Sequence, residues 1–479
     1  MEEQTDPVVH GEQETNEEKK SKKAWYSRAR FIGAIMFNTA AMMVPATYLT
    51  LSKAWVAHIN TTDVAITDSY TYLGVIAKVL NEGLPSVGYL IIGDVTISKE
   101  KRFNLIHSLV CFQALAGLVM SSIFILAASF LSSILIPGEV SSKSIQYIQI
   151  SSCSIFFNVV DCTIVLAFRT ADRPDIPIII NITKTLVNII LDIVLISKFR
   201  IIDVTTVNIQ AISRLICDCS GVIAAVIAYK QATSKYIKSF SLRNLKPFLK
   251  PSIYTFSETI LRNSIYLWLV SIIVKMERDF ATAWGVFNTI RWGIVMVPNL
   301  AFFEAASTFT GHRWSLFKKK AKENVRWKNI INVTMYSIQS TILTLIMETM
   351  TVILMSVWLI EPFALFLSED ENVVYLVKEM WSSLCWSYLL TLLGMQLSAI
   401  LIATWPAWFF IRTIGSSVLW TLPWTIALSL RESKDEMDWY FFGYVIGGGL
   451  ITSFVVTVAS VCGWMFIIKN RHFTDPRYT

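Results

Sequence analysis

The sequence predicts an all-α integral membrane protein with twelve transmembrane helices arranged as two six-helix halves. Of its 479 residues, 54% are hydrophobic and only 16% are charged, a balance typical of polytopic membrane proteins and not of soluble domains. Long apolar runs recur along the whole chain, most of them at or above the roughly 20 residues that cross a bilayer. The two halves also resemble each other weakly, which favours an internal repeat.

Twelve apolar stretches are predicted to span the membrane. They lie at residues 31–59, 64–97, 104–136, 144–168, 174–197, 204–229, 249–274, 279–310, 328–360, 373–401, 405–430 and 439–468. Lysine and arginine are concentrated in the tail before the first span and in the loops on that same side, so the positive-inside rule places both termini in the cytosol. The membrane itself is expected to be the plasma membrane or a vacuolar or other endomembrane.

The predicted organisation has five parts. They are a disordered cytosolic tail (1–30), an N-terminal half (31–229), a basic cytosolic linker (230–248), a C-terminal half (249–468) and a cytosolic C-terminal tail (469–479). The first 30 residues are hydrophilic and do not resemble a signal peptide. Because the net charge of +7 sits in the inner loops, it indicates topology and contact with anionic lipid, and we expect no nucleic-acid partner.

An internal repeat relates the two halves. Residues 83–98 (GLPSVGYLIIGDVTIS) align with residues 296–311 (MVPNLAFFEAASTFTG), which places Pro85 on Pro298. Six helices per half start both halves on the same side of the membrane, so the repeats are predicted to be parallel. Such repeats are typical of transporters, whose binding site lies between the halves near the bilayer midplane.

The most informative stretch is residues 169–196, a polar turn followed by an apolar helix with ionisable residues inside it. Asn188 and Asp192 lie four residues apart and share one helix face. An ionisable residue within a span usually faces a bundle interior or a wet cavity, so both are candidates for binding a cation or proton. Two alternatives stay open: Asp192 is a structural carboxylate at the helix end, or it is compensated by Lys184.

Four motifs carry a family resemblance. They are the turn Arg169–Pro177, with Thr170 and Asp172 where glycines are usual, the pair Asn188–Asp192, the helix start Pro251–Asn263, and the outer stretch Ala364–Val373. With the spacing of the spans, these motifs resemble the multidrug and toxin extrusion (MATE) transporters of the multidrug/oligosaccharidyl-lipid/polysaccharide flippase (MOP) superfamily. The resemblance implies a V-shaped bundle and cation-coupled export of amphiphilic organic small molecules by alternating access.

Two departures from the family pattern bear on the coupling ion. The first span has Ser52 where an acid is frequent, and residues 392–401 of the tenth span contain no acid. Sodium needs a cage of several oxygens, whereas a proton needs only one carboxylate. We therefore expect H⁺ coupling, with Na⁺ as the alternative and with Ser52 and Ser213 as weak auxiliary ligands; no other cofactor and no metal site are expected.

Two further carboxylates are candidates for coupling. Glu258 lies in an apolar part of the seventh span, four residues before Arg262 on the same face. We expect Glu258 to be the proton carrier; the alternative is that it forms half of a structural ion pair with Arg262. Asp161 in the fourth span has no lysine or arginine at helical spacing before Arg169 and is the third candidate.

Aromatic residues are dense in the seventh and eighth spans. Tyr254, Trp268, Trp284 and Trp292 are candidates for a substrate cavity, because aromatic faces suit amphiphiles and cations. Lipid-facing and interfacial belts are the alternative interpretation.

Three functions compete. The first is a monomeric secondary antiporter for small organic molecules, and the second is a flippase for a lipid-linked or polyisoprenoid substrate. A flippase would need a basic headgroup cavity, for which Lys53, Lys78, Lys184 and Arg214 are candidates. The third is a receptor-like protein or a membrane enzyme. The sequence contains none of the common catalytic motifs (HExxH, GxSxG, a P-loop), so it predicts that the protein is not an enzyme.

Overall fold

The structure is a computed structural model that describes residue 27 and residues 30–57, 73–135, 141–195, 207–235, 240–274, 278–320, 325–368, 370–430 and 439–470. Most of the predicted N-terminal tail (1–30) and most of the predicted C-terminal tail (469–479) lie outside these residues. The part of the chain that is described consists of helices joined by turns and contains no β-strand. The predicted all-α class is confirmed.

The helices are numbered α1 to α12 in chain order. They are α1 (Phe31–Ala57), α2 (residues 73–82, a 3₁₀ turn Pro85–Val87 and a short helix Gly88–Ile91), α3 (Lys99–Leu126, continued by Ala128–Leu135), α4 (Ser141–Thr170), α5 (Asp175–Leu195), α6 (Val207–Thr233), α7 (Lys246–Val274), α8 (Arg278–Ile290, a π-helical segment Arg291–Met296, then Val297–Lys320), α9 (Trp327–Leu354, a π-helical segment Met355–Leu359, then Ile360–Ser368), α10 (Glu371–Thr404), α11 (Pro406–Ser416, a π-helical segment Ser417–Thr421, then Leu422–Ser429) and α12 (Trp439–Lys469).

Nine helices in the described ranges are long and apolar enough to cross a membrane. They correspond to α1, α3, α4, α5, α6, α8, α9, α10 and α12. The chain is therefore an integral multi-pass membrane protein, as predicted. The number of twelve spans and the cytosolic orientation of the termini stay predictions.

Helix packing follows one pattern that recurs six helices later. Helix α1 packs on α5 as α7 packs on α11, and the α3–α4, α4–α6 and α5–α6 contacts recur as α9–α10, α10–α12 and α11–α12. Between the two sets, α1 packs on the Val297–Lys320 part of α8, and α7 packs on the Pro85–Val87 turn of α2. These are equivalent contacts in the predicted repeat, although the exact boundaries of the two halves stay predictions.

The two prolines aligned from the sequence lie where helices depart from α geometry. Pro85 opens the 3₁₀ turn of α2, and Pro298 follows the π-helical segment of α8 by one residue. Proline has no backbone N–H and its ring collides with the preceding turn, so a local change of helical pitch accommodates it. Helix α2, predicted as one uninterrupted span over 64–97, is therefore broken inside that range.

The basic segment between the predicted spans 279–310 and 328–360 is partly helical. Helix α8 continues to Lys320, and Trp314 and Phe317 on this extension are buried against Trp464 of α12 and its neighbours. Nothing in HRWSLFKKK breaks a helix, and its aromatic residues share a face that packs on the protein. The hydropathy limit at residue 310 marked where apolar composition stops, which is not where the helix ends.

Capping residues account for other helix starts. The hydroxyl of Ser98 accepts a hydrogen bond from the backbone N–H of Lys101 at the start of α3, and Asp370 accepts one from Asn372 at the start of α10. Such caps satisfy donors that the first turn of a helix leaves open. The family-like stretch Ala364–Val373 is thus the end of α9 and the capped start of α10.

Candidate functional site

The interior of α4, α5 and α6 contains a buried cluster of two acids and one base. The Lys184 ammonium of α5 lies 3.0 Å from an Asp161 oxygen on α4 and 2.9 Å from an Asp218 oxygen on α6. Both aspartates are 6% exposed. This acid–lysine cluster, defined as Asp161, Lys184 and Asp218, joins three helices through charge-assisted hydrogen bonds, which are stronger than neutral ones.

A glycine makes room for the acid–lysine cluster. The Lys184 chain passes over Gly221 of α6, where an added Cβ would lie 2.5 Å from Cγ and 3.2 Å from Cε of the lysine. Real Cβ atoms are almost never found that close to another heavy atom. Only glycine at position 221 lets Lys184 take the path that reaches both aspartates.

Asp192 and Asn188 contact the two helices that flank α5. Asp192 is 3% exposed and accepts a 2.6 Å hydrogen bond from the hydroxyl of Tyr48 on α1. The amide oxygen of Asn188 lies 3.3 Å from the Cys217 sulfur on α6. The pair thus lies inside the N-terminal helices. Asp192 is in the last turn of its helix, but it is buried and not at an open helix end.

The two auxiliary serines differ in what the structure describes. Ser213 on α6 is 1% exposed, and its hydroxyl has no hydrogen-bond partner among the described residues. Ser52 belongs to α1, but its side chain, like that of Lys53, lies outside the described part. The role of both serines as ligands stays a prediction.

The pair Glu258–Arg262 is present and extends to another helix. Glu258 is 2% exposed and accepts a 3.0 Å hydrogen bond from Arg262 Nε. The same guanidinium donates from Nη2 to Glu82 of α2 at 2.6 Å. Arg262 therefore links α7 to α2, across the predicted boundary between the halves.

Helix α11 approaches Glu258 from the other side. The Thr413 hydroxyl lies 3.2 Å from the same Glu258 oxygen, and Arg412 Nη2 lies 3.8 Å from it. The second oxygen of Glu258 accepts from the hydroxyl of Thr259 at 3.2 Å. Glu258 is consequently a hydrogen-bonded carboxylate that faces two guanidinium groups, from α7 and α11.

The four aromatic candidates do not play one role. Trp284 is 4% exposed and packs in the core against Phe287 and Trp439, so it is a packing residue. Trp268 and Trp292 are 39% and 37% exposed, and Tyr254 packs on Phe410. Trp284 and Trp292 share one neighbour, the Arg291 guanidinium, which lies 5.8 Å and 5.2 Å from their ring centres.

The family-like turn between α4 and α5 contacts α8. Arg169 forms an ion pair with Glu304, and Asp172 lies 3.7 Å from His312. Asp172 has φ = 61°, the left-handed region where a side chain is strained and glycine is favoured. This conformation explains why a motif of this shape has glycine there, and why aspartate, which tolerates left-handed geometry, can replace it.

Sequence reasoning ranked some interior charges too low. Asp218, Glu82 and Tyr48 were not among the candidates, although an ionisable residue inside an apolar span is itself a signal for the first two. Glu348 on α9 is another such residue, 1% exposed and bonded to the Asn299 amide at 3.0 Å. The basic residues proposed for a flippase cavity do not converge: Lys184 is paired with aspartates, whereas Lys78 lies over Trp292.

The free cysteines differ in burial. Cys217 and Cys385 are buried, but Cys462 on α12 is exposed, because it points away from the helix bundle.

Comparison with known proteins gives fold relatives but no sequence relatives. No family model matches the chain, and no curated protein matches it. Among solved structures, a mutant of the Vibrio cholerae MATE transporter VcmN matches with a TM-score of 0.75 and 12% identity, over 92% of this chain and 97% of that chain. A MOP superfamily transporter from Pyrococcus furiosus, described as having a binding pocket of reverse polarity that suggests a different function, matches with a TM-score of 0.73 and 16% identity over 91% and 96%.

A third match is an outward-facing multidrug resistance MATE family transporter, with a TM-score of 0.70 and 16% identity over 93% of this chain and 96% of that chain. Nearly the full length of each protein is superposed, so the likeness covers the whole helix bundle. The resemblance predicted from the motifs is confirmed at the level of the fold: this chain has the fold of the MATE transporters of the MOP superfamily.

Proposed function

We propose that this chain is a secondary transporter that exchanges protons for amphiphilic organic small molecules by alternating access. The observation that carries the proposal is the acid–lysine cluster, in which one ammonium is held by two buried carboxylates from different helices. Ionisable groups inside membrane helices are expensive to bury and are typical of ion and proton pathways. The transporter fold of the solved relatives supports the same function.

The acid–lysine cluster offers a simple coupling step. Asp161 Oδ1 is buried and has no hydrogen-bond partner within the described residues, so a proton bound there would displace no existing hydrogen bond. Protonation of Asp161 neutralises its charge and weakens its bond to Lys184, which remains attached to Asp218. The attraction between α4 and α5 falls while that between α5 and α6 persists, so the proton changes how three helices are held together.

The same geometry favours a proton over sodium. A cation bound between Asp161 and Asp218 would have to occupy the space that the Lys184 ammonium fills, about 3 Å from each carboxylate. The bound cation and the Lys184 ammonium would then be crowded together, and two positive charges in close contact repel strongly in a medium of low dielectric constant. A proton binds directly to a carboxylate oxygen and needs no such space.

Asp192 and Glu258 remain the other coupling candidates. Asp192, with Asn188 one turn earlier, faces α1 and accepts a hydrogen bond from the Tyr48 hydroxyl. Protonation of Asp192 would make it a weaker acceptor and so weaken this bond to α1. Glu258 is held by Arg262 and Thr413, so it would release a guanidinium on protonation. Release of Arg262 would also affect Glu82, which makes this a second way to couple a proton to the contact between the halves.

The proposed transporter also has an expected oligomeric state, membrane and orientation. We expect the protein to act as a monomer in a plasma membrane, vacuolar membrane or other endomembrane, with both tails cytosolic, and to catalyse no chemical reaction. A flippase for a lipid-linked substrate is the second candidate. Its support is the pair of cationic residues Lys78 of α2 and Arg291 of α8, which lie over the same tryptophan ring.

The test uses the full chain reconstituted in liposomes, with an imposed pH gradient and a labelled organic cation as probe. Asp161→Asn and Asp218→Asn should abolish gradient-driven accumulation but retain counterflow, which needs alternating access and no coupling. Glu258→Gln is measured in parallel. Glu361→Gln is the matched control, because Glu361 forms an exposed ion pair with Lys378 at 2.8 Å.

Two results would count against the proposal. Gradient-driven accumulation that survives in both aspartate variants removes the acid–lysine cluster as the coupling site and leaves Asp192 and Glu258 to be tested. Absence of both accumulation and counterflow for the unmodified protein, with organic cations and organic anions alike, would remove the antiporter function itself and favour the flippase.

A further inference from the structure

A second group of charges lies between α2, α7, α8 and α11. Its members are Lys78, Glu82, Glu258, Arg262, Arg291 and Arg412. Arg262 bonds both glutamates and Arg412 approaches Glu258 at 3.8 Å, while Lys78 and Arg291 lie over one ring, that of Trp292. This central charge cluster has four cations and two carboxylates, so it has an excess of two positive charges within the membrane-spanning bundle.

The excess lies at Lys78 and Arg291, because Arg262 and Arg412 are the cations within ion-pair distance of the two carboxylates. Arg291 is 8% exposed, and no carboxylate of the described residues lies within ion-pair distance of it. Its guanidinium donates to the hydroxyls of Tyr388 at 2.8 Å and Tyr266 at 3.1 Å. Both acceptors are neutral, and Arg291 Nε has no partner within the described part of the chain.

A buried cation without a counter-charge is costly, and the cost is lowered here only in part by aromatic rings. Arg291 also opens the π-helical segment of α8, a distortion that is frequent at functional sites. A full negative charge is the component that would complete this environment.

Trp292 marks the place where such a charge would enter. Lys78 lies 4.4 Å from the centre of the Trp292 ring, and the Arg291 guanidinium lies 5.2 Å from it. The ring is 37% exposed, so an apolar group can contact it beside both cations. A ligand with an aromatic body on Trp292 would bring an acidic group within reach of both cations.

We infer that the exposed face of Trp292 and the two cations beside it bind an amphiphilic organic anion, with Lys78 of α2 and Arg291 of α8 as counter-ions of its anionic group and Trp292 as the contact for its apolar body. The inference rests on the proposed transport function and names its substrate class. A carboxylate, sulfonate or phosphate on an apolar body satisfies the site equally. The anion is therefore either a free small molecule or the headgroup of an anionic lipid.

Binding to the full chain in detergent tests this with two probes that differ only in the sign of charge. They are labelled naphthalene-2-sulfonate and labelled 2-naphthyltrimethylammonium. The sulfonate should bind and the ammonium should not compete with it. Lys78→Gln and Arg291→Gln should each weaken sulfonate binding roughly 30-fold, the low end of the effect of removing one partner of a buried charge pair.

Controls separate binding from folding. Arg291→Lys retains the charge but not the fork of donors, so it should recover part of the affinity lost in Arg291→Gln. Lys378→Gln removes an exposed lysine and changes the net charge of the protein by the same amount as Lys78→Gln. This control should bind the sulfonate as the unmodified protein does. If Arg291→Gln does not fold, Lys78→Gln still decides the outcome, because the Lys78 side chain is only partly buried.

Nanodiscs of phosphatidylcholine with and without phosphatidylglycerol distinguish the two sources of anion. Loss of sulfonate binding in phosphatidylglycerol assigns the site to a lipid headgroup, and unchanged binding assigns it to a free anion.

Equal binding of the two naphthyl probes, or sulfonate binding that both variants leave unchanged, overturns the inference. Gradient-driven transport of an organic cation together with absent sulfonate binding would refute this inference alone, whereas sulfonate binding without any transport would refute the proposed function alone.

Discussion

Replacing Gly221 by alanine should disturb the acid–lysine cluster without removing any charge. The added Cβ would lie 2.5 Å from Cγ of Lys184, whereas carbon atoms in contact are ordinarily about 3.5–4.0 Å apart. The lysine cannot move aside freely, because its ammonium is held by Asp161 and Asp218. Overpacking of this kind costs about 1–3 kcal/mol.

The helix propensity of alanine contributes to the free energy of unfolding in the opposite direction. Alanine is favoured over glycine inside a helix by about 1 kcal/mol, and position 221 lies within α6. The net effect of Gly221→Ala is thus a destabilisation of about 0–2 kcal/mol. In a Lys184→Ala background the overlap is gone, so the same substitution should stabilise the protein by about 1 kcal/mol.

The assay is a double-mutant cycle on the purified chain, with the free energy of unfolding measured for all four proteins. The coupling energy between positions 221 and 184 should be about 1–3 kcal/mol, in the range found for residues in direct contact. Gly221→Ala should also impair gradient-driven transport, because Lys184 can no longer reach both aspartates. An equal effect of Gly221→Ala in both backgrounds would refute the packing argument.

Two further predictions concern the turn between α4 and α5. Asp172→Gly should leave the backbone stable while Asp172→Ala costs about 1–2 kcal/mol, since φ = 61° is strained for alanine; thermal unfolding of the two variants compares them directly, and equal midpoints would contradict the strain. Arg169→Ala leaves Glu304 buried without its cation and should lower the free energy of unfolding by about 3–5 kcal/mol. Adding Glu304→Gln to the same chain should restore most of that stability. No recovery in the double variant would show that Arg169 acts through packing.

Much of the fold could be predicted from local pattern. Apolar runs of span length gave the helical membrane class, and the separation of four residues put Asn188 beside Asp192 and Glu258 beside Arg262 on their helix faces. These features depend on residues close in sequence, so the periodicity of a single helix is enough to predict them. The family-like turn was likewise recognised from a few adjacent residues, including Asp172 in a position that favours glycine.

The partners of the interior charges were decided by tertiary structure. Lys184 is bonded to Asp161 and Asp218, which are 23 and 34 positions away in the sequence, and not to Asp192 on its own helix. Arg262 reaches Glu82 across 180 residues. Such contacts depend on how each helix is rotated about its axis, and hydropathy does not encode that rotation, because lipid and helix interfaces are similarly apolar.

The sequence by itself thus determined that the chain is helical and crosses the membrane several times, since this class follows from apolar composition over stretches of about 20 residues. Only the tertiary structure decided that Arg291 is enclosed by tyrosine and tryptophan rings and that one lysine serves two aspartates. The physical reason is that a charge inside the bilayer must be satisfied by whatever neighbouring helices present, and helix packing selects those neighbours.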